Sequence, residues 1–224
     1  MTGDPTYDAA VGTMDVLSLP VDSSPCFEPL QEHFGRLNAV AALGNVGILR
    51  SRKLALFCSA KCPGKLILET YDLAHKLREE VVTVIGGFHS PMERECLEIL
   101  LRGTGPVVVC PARGLGRMRV RREFREPLEN GRLLFLSPFD EKQRRATQTI
   151  AMARNHFVAA LADTVFVAHA APHSKTENFC HEIMGWGKPL ITFDSAENFP
   201  LVALGAKALR PAAFSAPGVD VLLP

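Results

Sequence analysis

The chain has 224 residues, of which 47% are apolar and 22% charged, and its formal net charge is +1. That composition supports a packed core rather than disorder, and a charge so near zero supplies no global field to favour DNA, RNA or a membrane. No stretch reaches the roughly 18 apolar residues that span a bilayer, and MTGDPTYDAAVG lacks the basic and apolar regions of a secretory leader, so a cytoplasmic protein is expected.

Residues 1 to about 25 are rich in Asp, Ser, Pro and Thr without periodicity and read as a loose lead-in. From Phe27 to Ala42, the apolar positions Leu30, Phe34, Leu37, Val40 and Ala41 recur at helical spacing. They predict a short helical appendage, dividing the chain into an N-terminal segment, 1–42, and a main domain, 43–224.

Six apolar runs then alternate with helical patterns. Lys53–Ser59 precedes a helix over 65–80, Val81–Phe88 precedes one over Pro91–Arg102, and Pro106–Pro111 is the third run. Arg132–Phe139 leads into a helix over Thr147–Ala162, Thr164–Ala170 into one over Thr176–Trp186, and Pro189–Asp194 is the sixth. These runs are continuously apolar, which suits strands buried on both faces. An α/β fold follows: a Rossmann-like, doubly wound, mainly parallel sheet of six or more strands with helices on both faces.

In such a sheet, ligands lie beyond the C-terminal strand edge, near helix N-termini. SAKCPGK, after the first run, offers Ser59, Lys61, Gly64 and Lys65, but without Walker A or GxGxxG spacing. It reads as an anion-holding loop or as an ordinary strand–helix turn. In GGFHSPME, Gly86 and Gly87 let backbone approach a ligand, while Ser90, Pro91 and Glu93 have the spacing of a capped helix start. His89 and Glu93 stand four apart without a third metal partner, so no metal site is assigned.

RGLGRMRVRREFRE holds six arginines, including Arg113, Arg117 and Arg121, and KQRR follows. This is either a phosphate-binding track or a solvated face paired with Glu123, Glu126 and Glu129. Arg154 and Asn155 form a polar pair inside an otherwise apolar helix, placed to reach a bound phosphate or a neighbouring strand loop. Ser174, Lys175, Thr176 and Glu177 open the helix after the fifth run, as an anion grip or simply as its N-cap.

The six cysteines form no CxxC pair and no zinc-finger spacing, the pattern of reduced thiols. No Ser/His/Asp or Cys/His order suggests nucleophilic catalysis, so no catalytic residue and no cofactor is assigned.

From about Leu43 to Asp194 the chain resembles the DNA-processing protein A family (DprA, also called Smf). LGNVGILRSRKLALFCSAKCPG is similar to that family's lead into its first strand and G-S-R loop. GGFHSPMERECL falls on its S-G-L-A-R-G-I-D segment, and LLFLSPF on L-L-S-E. ARNHFVAALADTVFVAHA resembles R-N-R-I-I-A-G-L-S-D and the strand after it, and HSKTENFCHEIMGWGKPLITF falls on S-G-S-L-I-T-A and the R-P-V-F strand. Ser90 stands where the family has arginine, Cys58 where it has glycine, and His156 at the third place of R-N-R. SAPGVDVLLP is too short for the winged-helix module that many members carry.

The resemblance implies a protein that binds single-stranded DNA, forms a homodimer and works with a recombinase, and it favours a non-enzymatic role while leaving catalysis open. It places Ser59, Lys61, Gly86, Gly87, His89, Ser90, Arg113, Arg154, Asn155, Ser174, Lys175, Thr176 and Glu177 at the phosphate or nucleic-acid site. The same broad superfamily contains LOG-type phosphoribohydrolases. It therefore also implies an alternative: a small nucleotide as ligand, sensed or cleaved, with Glu177 as acid–base group.

Overall fold

The computed structural model describes residues 15–34, 37–116 and 118–210. Residues 1–14 of the expected lead-in, Arg117 of the expected basic track, and the C-terminal segment 211–224 lie outside the described residues.

The six apolar runs form six parallel strands: β3 (Lys53–Phe57), β4 (Thr83–Gly86), β5 (Val107–Val109), β6 (Leu133–Ser137), β7 (Thr164–Val167) and β8 (Leu190–Phe193). Among the described residues, three more strands bring the sheet to nine: β1 (Leu17–Pro20), β2 (Ala39–Gly44) and β9 (Lys207–Leu209). The order is β1-β2-β6-β5-β4-β3-β7-β8-β9, antiparallel only between β1 and β2 and between β2 and β6.

Among the described residues, the seven α-helices are α1 (Glu28–His33), α2 (Gly64–Leu77), α3 (Pro91–Leu101), α4 (Arg122–Glu129), α5 (Gln148–Leu161), α6 (Lys175–Gly185) and α7 (Phe199–Leu204). Helices α1, α5 and α6 bury Leu30, Phe157, Val158, Cys180 and Ile183 against one face of the sheet. Helices α2, α3 and α4 bury Leu66, Leu73, Cys96, Leu100 and Leu128 against the other. Alternate strand residues serve the two cores, as Ala55 and Phe57 against Leu54 and Leu56 show.

The expected helix from Phe27 to Ala42 is corrected. Helix α1 stops at His33, and Ala39–Gly44 is a strand whose Cα partners in β6 run from Ala41↔Ser137 to Gly44↔Leu134. Val40 and Ala42 face one core and Leu43 the other, a period-two pattern that overrides the helical spacing of Val40 and Ala41. Strands β1 and β2, at the two ends of this stretch, therefore belong to the same sheet as β3–β9. The arginine-rich segment likewise holds a helix, α4, whose Leu128 is buried.

Strands β3 and β7 are adjacent while their crossover helices lie on opposite faces, α2 on one and α6 on the other. This is the switch point, and a crevice lies beside it at the C-terminal edge. Among the described residues, no helix is long and apolar enough to cross a membrane.

Candidate functional site

The loops after β3 and β7 are stitched together at the crevice. Ser59 donates its backbone N–H to the carbonyl oxygen of His169 (2.9 Å), and its Oγ accepts the N–H of Ala171 (3.0 Å). The same Oγ lies 3.4 Å from Oγ of Ser174, the N-cap of α6. Ser59 is buried at 4% exposure, so its hydroxyl joins the two loops instead of facing solvent.

Beside this seam lies a cleft of about 270 Å3. His89 and Ser90 line it from the β4 loop, Ala151, Met152, Arg154 and Asn155 from α5, and Lys175, Thr176 and Phe179 from α6. Six of the residues marked by sequence thus share one cavity: His89, Ser90, Arg154, Asn155, Lys175 and Thr176.

Arg154 is 4% exposed, in contrast to the surface position that a helical arginine usually takes. It donates from Nη1 to the carbonyl oxygen of Cys110 at the end of β5 (3.0 Å) and from Nε to Oδ1 of Asn155 (2.8 Å). Gly87 makes this possible, because a Cβ there would overlap the guanidinium itself. Burial pulls the Arg154 pKa below the usual arginine value, while the Glu93 carboxylate works to raise it.

Glu93 is the residue whose importance the sequence conceals. The predicted capping box is present: Oγ of Ser90 accepts the N–H of Glu93 (3.3 Å), and Oε2 of Glu93 accepts the N–H of Ser90 (3.3 Å). The carboxylate goes further, accepting the N–H of His89 (2.8 Å) and, from the β3 loop, that of Cys58 (3.0 Å). At 6% exposure, this buried anion ties the β3 and β4 loops together opposite Arg154. Its two oxygens are thus engaged by three backbone amides. The only clue in the sequence is an acidic N3 residue, which capping alone explains.

The N-terminus of α6 is open. Ser174 Oγ caps the N–H of Glu177 (3.1 Å), and the Ser174 N–H reaches the Ala171 carbonyl (3.1 Å). The backbone N–H groups of Lys175 and Thr176, two of the four that a helix start leaves unpaired, donate to no protein atom among the described residues. The exposed Lys175 ammonium has no ion-pair partner there either. The two residues that carry these amides and the ammonium, at the positive end of the α6 dipole, both line the cleft. Phe88 and His173, one in each flanking loop, take left-handed backbone with φ of 47° and 58°, a conformation that concentrates at ligand-binding turns.

The remaining predicted residues stand apart from the cleft. Lys61 is exposed and lines a cavity of about 650 Å3 on the α2 side of the β3 loop. Gly86 ends β4, accepting the N–H of Cys110 (2.8 Å), with the Phe88 ring behind it. Arg113 lines a third cleft, together with Gly87 and His89. Glu177 accepts the N–H of His173 (2.6 Å) and is not among the residues lining the cleft. In the β3 loop, a hydrogen bond with Cys58 lowers the Cys62 pKa against the effect of burial, while the same bond and burial raise that of Cys58. Burial pushes Cys96, Cys110 and Cys180 up to about 12, as suits small core residues.

The sequence profile of a family described as DNA recombination-mediator protein A matches residues 36–196, well over half of the chain. No curated protein matches the chain by sequence. Among solved structures, it is similar to DNA processing protein A from Helicobacter pylori, which is described for its single-stranded DNA binding mode. The identity is 18% and the TM-score 0.71, with 90% of this chain and 93% of that one covered. It is also similar to DNA processing protein A from Streptococcus pneumoniae, at 18% identity and a TM-score of 0.69, covering 89% and 72% of the two chains. The molybdenum cofactor carrier protein of Chlamydomonas reinhardtii has a related fold, at 11% identity and a TM-score of 0.53, covering 77% and 99%.

Proposed function

The chain belongs to the DNA recombination-mediator protein A family, and on that premise we propose that it binds single-stranded DNA, seating a backbone phosphate in the crevice beside the seam of the β3 and β7 loops. The observation that carries this reading is the open start of α6. A phosphate there receives the N–H groups of Lys175 and Thr176 and the Lys175 ammonium, with the buried Arg154 adding positive charge behind the wall. His89 and Ser90 line the opposite wall. Every nucleotide carries the same phosphate, so this contact holds a strand without reading its sequence. The H. pylori relative, described for its single-stranded DNA binding mode, supports the choice of ligand.

In this reading the site binds its ligand without cleaving it. Glu93 is held by three backbone amides, and Glu177 is engaged by His173 outside the cleft. The protein acts in this reading as a DNA-processing factor of the cytoplasm, self-associating and handing a strand to a recombinase. A second reading is a free nucleoside monophosphate, favoured by the small cleft volume of about 270 Å3, which suits one nucleotide better than a strand.

Fluorescence anisotropy of labelled oligothymidylate over a salt series tests the proposal. The wild-type protein is expected to bind with a clear salt slope, and Lys175→Ala to lower that slope by about 0.7, the value for one neutralised phosphate on a single strand. Binding with no salt dependence, or a slope unchanged by Lys175→Ala, would contradict it. Full competition by AMP at equal concentration would favour the mononucleotide.

A further inference from the structure

The cavity of about 650 Å3 on the α2 side of the β3 loop takes no part in the phosphate site. His169, just beyond β7, lines it and is only 5% exposed. Both its backbone and its ring are fixed. The His169 carbonyl oxygen accepts the N–H of Ser59 (2.9 Å), and Nδ1 lies 3.0 Å from Oδ1 of the fully buried Asn198, just before α7. Asn198 donates its Nδ2–H to the Ala168 carbonyl oxygen (2.9 Å), so its Oδ1 accepts and Nδ1 of His169 carries the proton. Nε2 of the neutral ring then offers a lone pair, and it has no partner among the described residues. A buried acceptor in that state favours a ligand that brings a donor.

Two charges of opposite sign share the cavity with it. Glu95 stands on α3 and Lys61 on the β3 loop; both are exposed, and neither side chain has a partner among the described residues. Burial, and after it the Glu95 carboxylate, raises the Tyr71 pKa, which places that charge beside the phenol on α2. The rest of the wall is apolar, with Ile67 and the Tyr71 ring from α2 and the buried Met92 from α3. An anion alone would gain Lys61 but face Glu95, and a cation alone would meet the reverse. A ligand that carries both charges on an apolar body satisfies every polar group named.

We propose that this cavity is a binding site for a small zwitterion with an apolar body, the chemistry of a free apolar α-amino acid. Its ammonium donates to Nε2 of His169 and to the Glu95 carboxylate, its carboxylate receives the Lys61 ammonium, and its side chain lies on Ile67, Tyr71 and Met92. Hydrogen bonds to charged groups are the strong ones, and an imidazole already held by Asn198 loses little freedom on binding. The volume falls within the roughly 300–1,000 Å3 of small-molecule sites. The site stands independently of the crevice, with which it shares only Ala60 among its lining residues.

The test compares L-phenylalanine, phenethylamine and 3-phenylpropionate, which set both charges, the cation alone and the anion alone on one apolar body. Calorimetry measures affinity, and the half-buried Cys62, which lines the same cavity, reports occupancy through its rate of alkylation by iodoacetamide. L-Phenylalanine is expected to bind about tenfold more tightly than either comparator, and Glu95→Gln and Lys61→Ala each to lower its affinity about tenfold, the effect of losing one charged hydrogen bond. Both positions are exposed, and circular dichroism checks that the variants are folded. Saturating L-phenylalanine should slow the alkylation of Cys62 and move the 15N resonance of the His169 Nε2 upfield, as a lone pair does on accepting a hydrogen bond. No binding of L-phenylalanine, equal binding of all three compounds, or a preference for either singly charged one would overturn the proposal. Binding that leaves the Cys62 rate and the Nε2 resonance unchanged would place the ligand elsewhere and overturn it too.

Discussion

Replacing Gly87 by alanine tests how the cleft is held in shape. The added methyl would occupy the space of the Arg154 guanidinium, whose Nη1, Cζ and Nε are its nearest neighbours. Gly87 does not have a left-handed backbone, so the substitution carries no conformational penalty and its cost reports the overlap alone. Displacing the guanidinium breaks the Nη1 bond to the Cys110 carbonyl and strains the Nε bond to Asn155. A hydrogen bond from a charged donor contributes about 1.5–3 kcal/mol, and a buried acceptor left unpaired costs a similar amount, so Gly87→Ala is expected to destabilise by about 3 kcal/mol. Arg154→Ala should cost about as much, since it orphans the same carbonyl and removes the cation facing Glu93. In the Arg154→Ala background, however, Gly87→Ala should change stability by under about 0.5 kcal/mol, leaving an interaction energy of about 2–3 kcal/mol. Urea unfolding of the four proteins reads this directly through the midpoints at constant m. A neutral Gly87→Ala, or an equal cost in both backgrounds, would refute the packing of the guanidinium on Gly87.

Two further outcomes follow from the same geometry. Glu93→Gln offers one acceptor oxygen where the carboxylate offers two to the N–H groups of Cys58, His89 and Ser90. It should destabilise by about 2–3 kcal/mol, with faster hydrogen exchange at those three amides; exchange unchanged at Cys58 would separate the two loops again. Cys62 has a lowered pKa and is half-buried, whereas burial raises those of Cys96, Cys110 and Cys180. A lower pKa populates the thiolate at lower pH, so iodoacetamide should label Cys62 first, with a pH profile beginning below that of a free thiol. Peptide mapping that found Cys110 labelled first would contradict this.

The parallel sheet was legible because strands buried on both faces need no alternation. LALFC and TVFVA announce themselves by composition alone. Strand β2 was not, since AVAALG lacks β-branched density and its Val40 and Ala41 fall in helical register with Leu30 and Phe34. What made it a strand is pairing with β6, about ninety residues further along the chain, which local pattern does not carry. At the site, Ser90 and Glu93 announced a capping box from their spacing, and it formed. The bond from Glu93 to the Cys58 amide spans 35 residues and had no local signal. Arg154 was conspicuous as a cation in an apolar helix, but whether it served a ligand or a neighbouring loop depended on where β5 ended. It reaches the Cys110 carbonyl there. Lys61 and Lys175, both loop cations by sequence, part company because the β3 loop itself forms the wall between their cavities.

The central claim, a phosphate of single-stranded DNA at the open start of α6, is tested most directly by amide resonances. Titrating dT6 into the 15N-labelled protein should move the Lys175 and Thr176 amide protons downfield in a saturable, salt-sensitive manner, as hydrogen bonds to an anion form. Saturating shifts confined to other surfaces, with those two amides unmoved, would contradict the account.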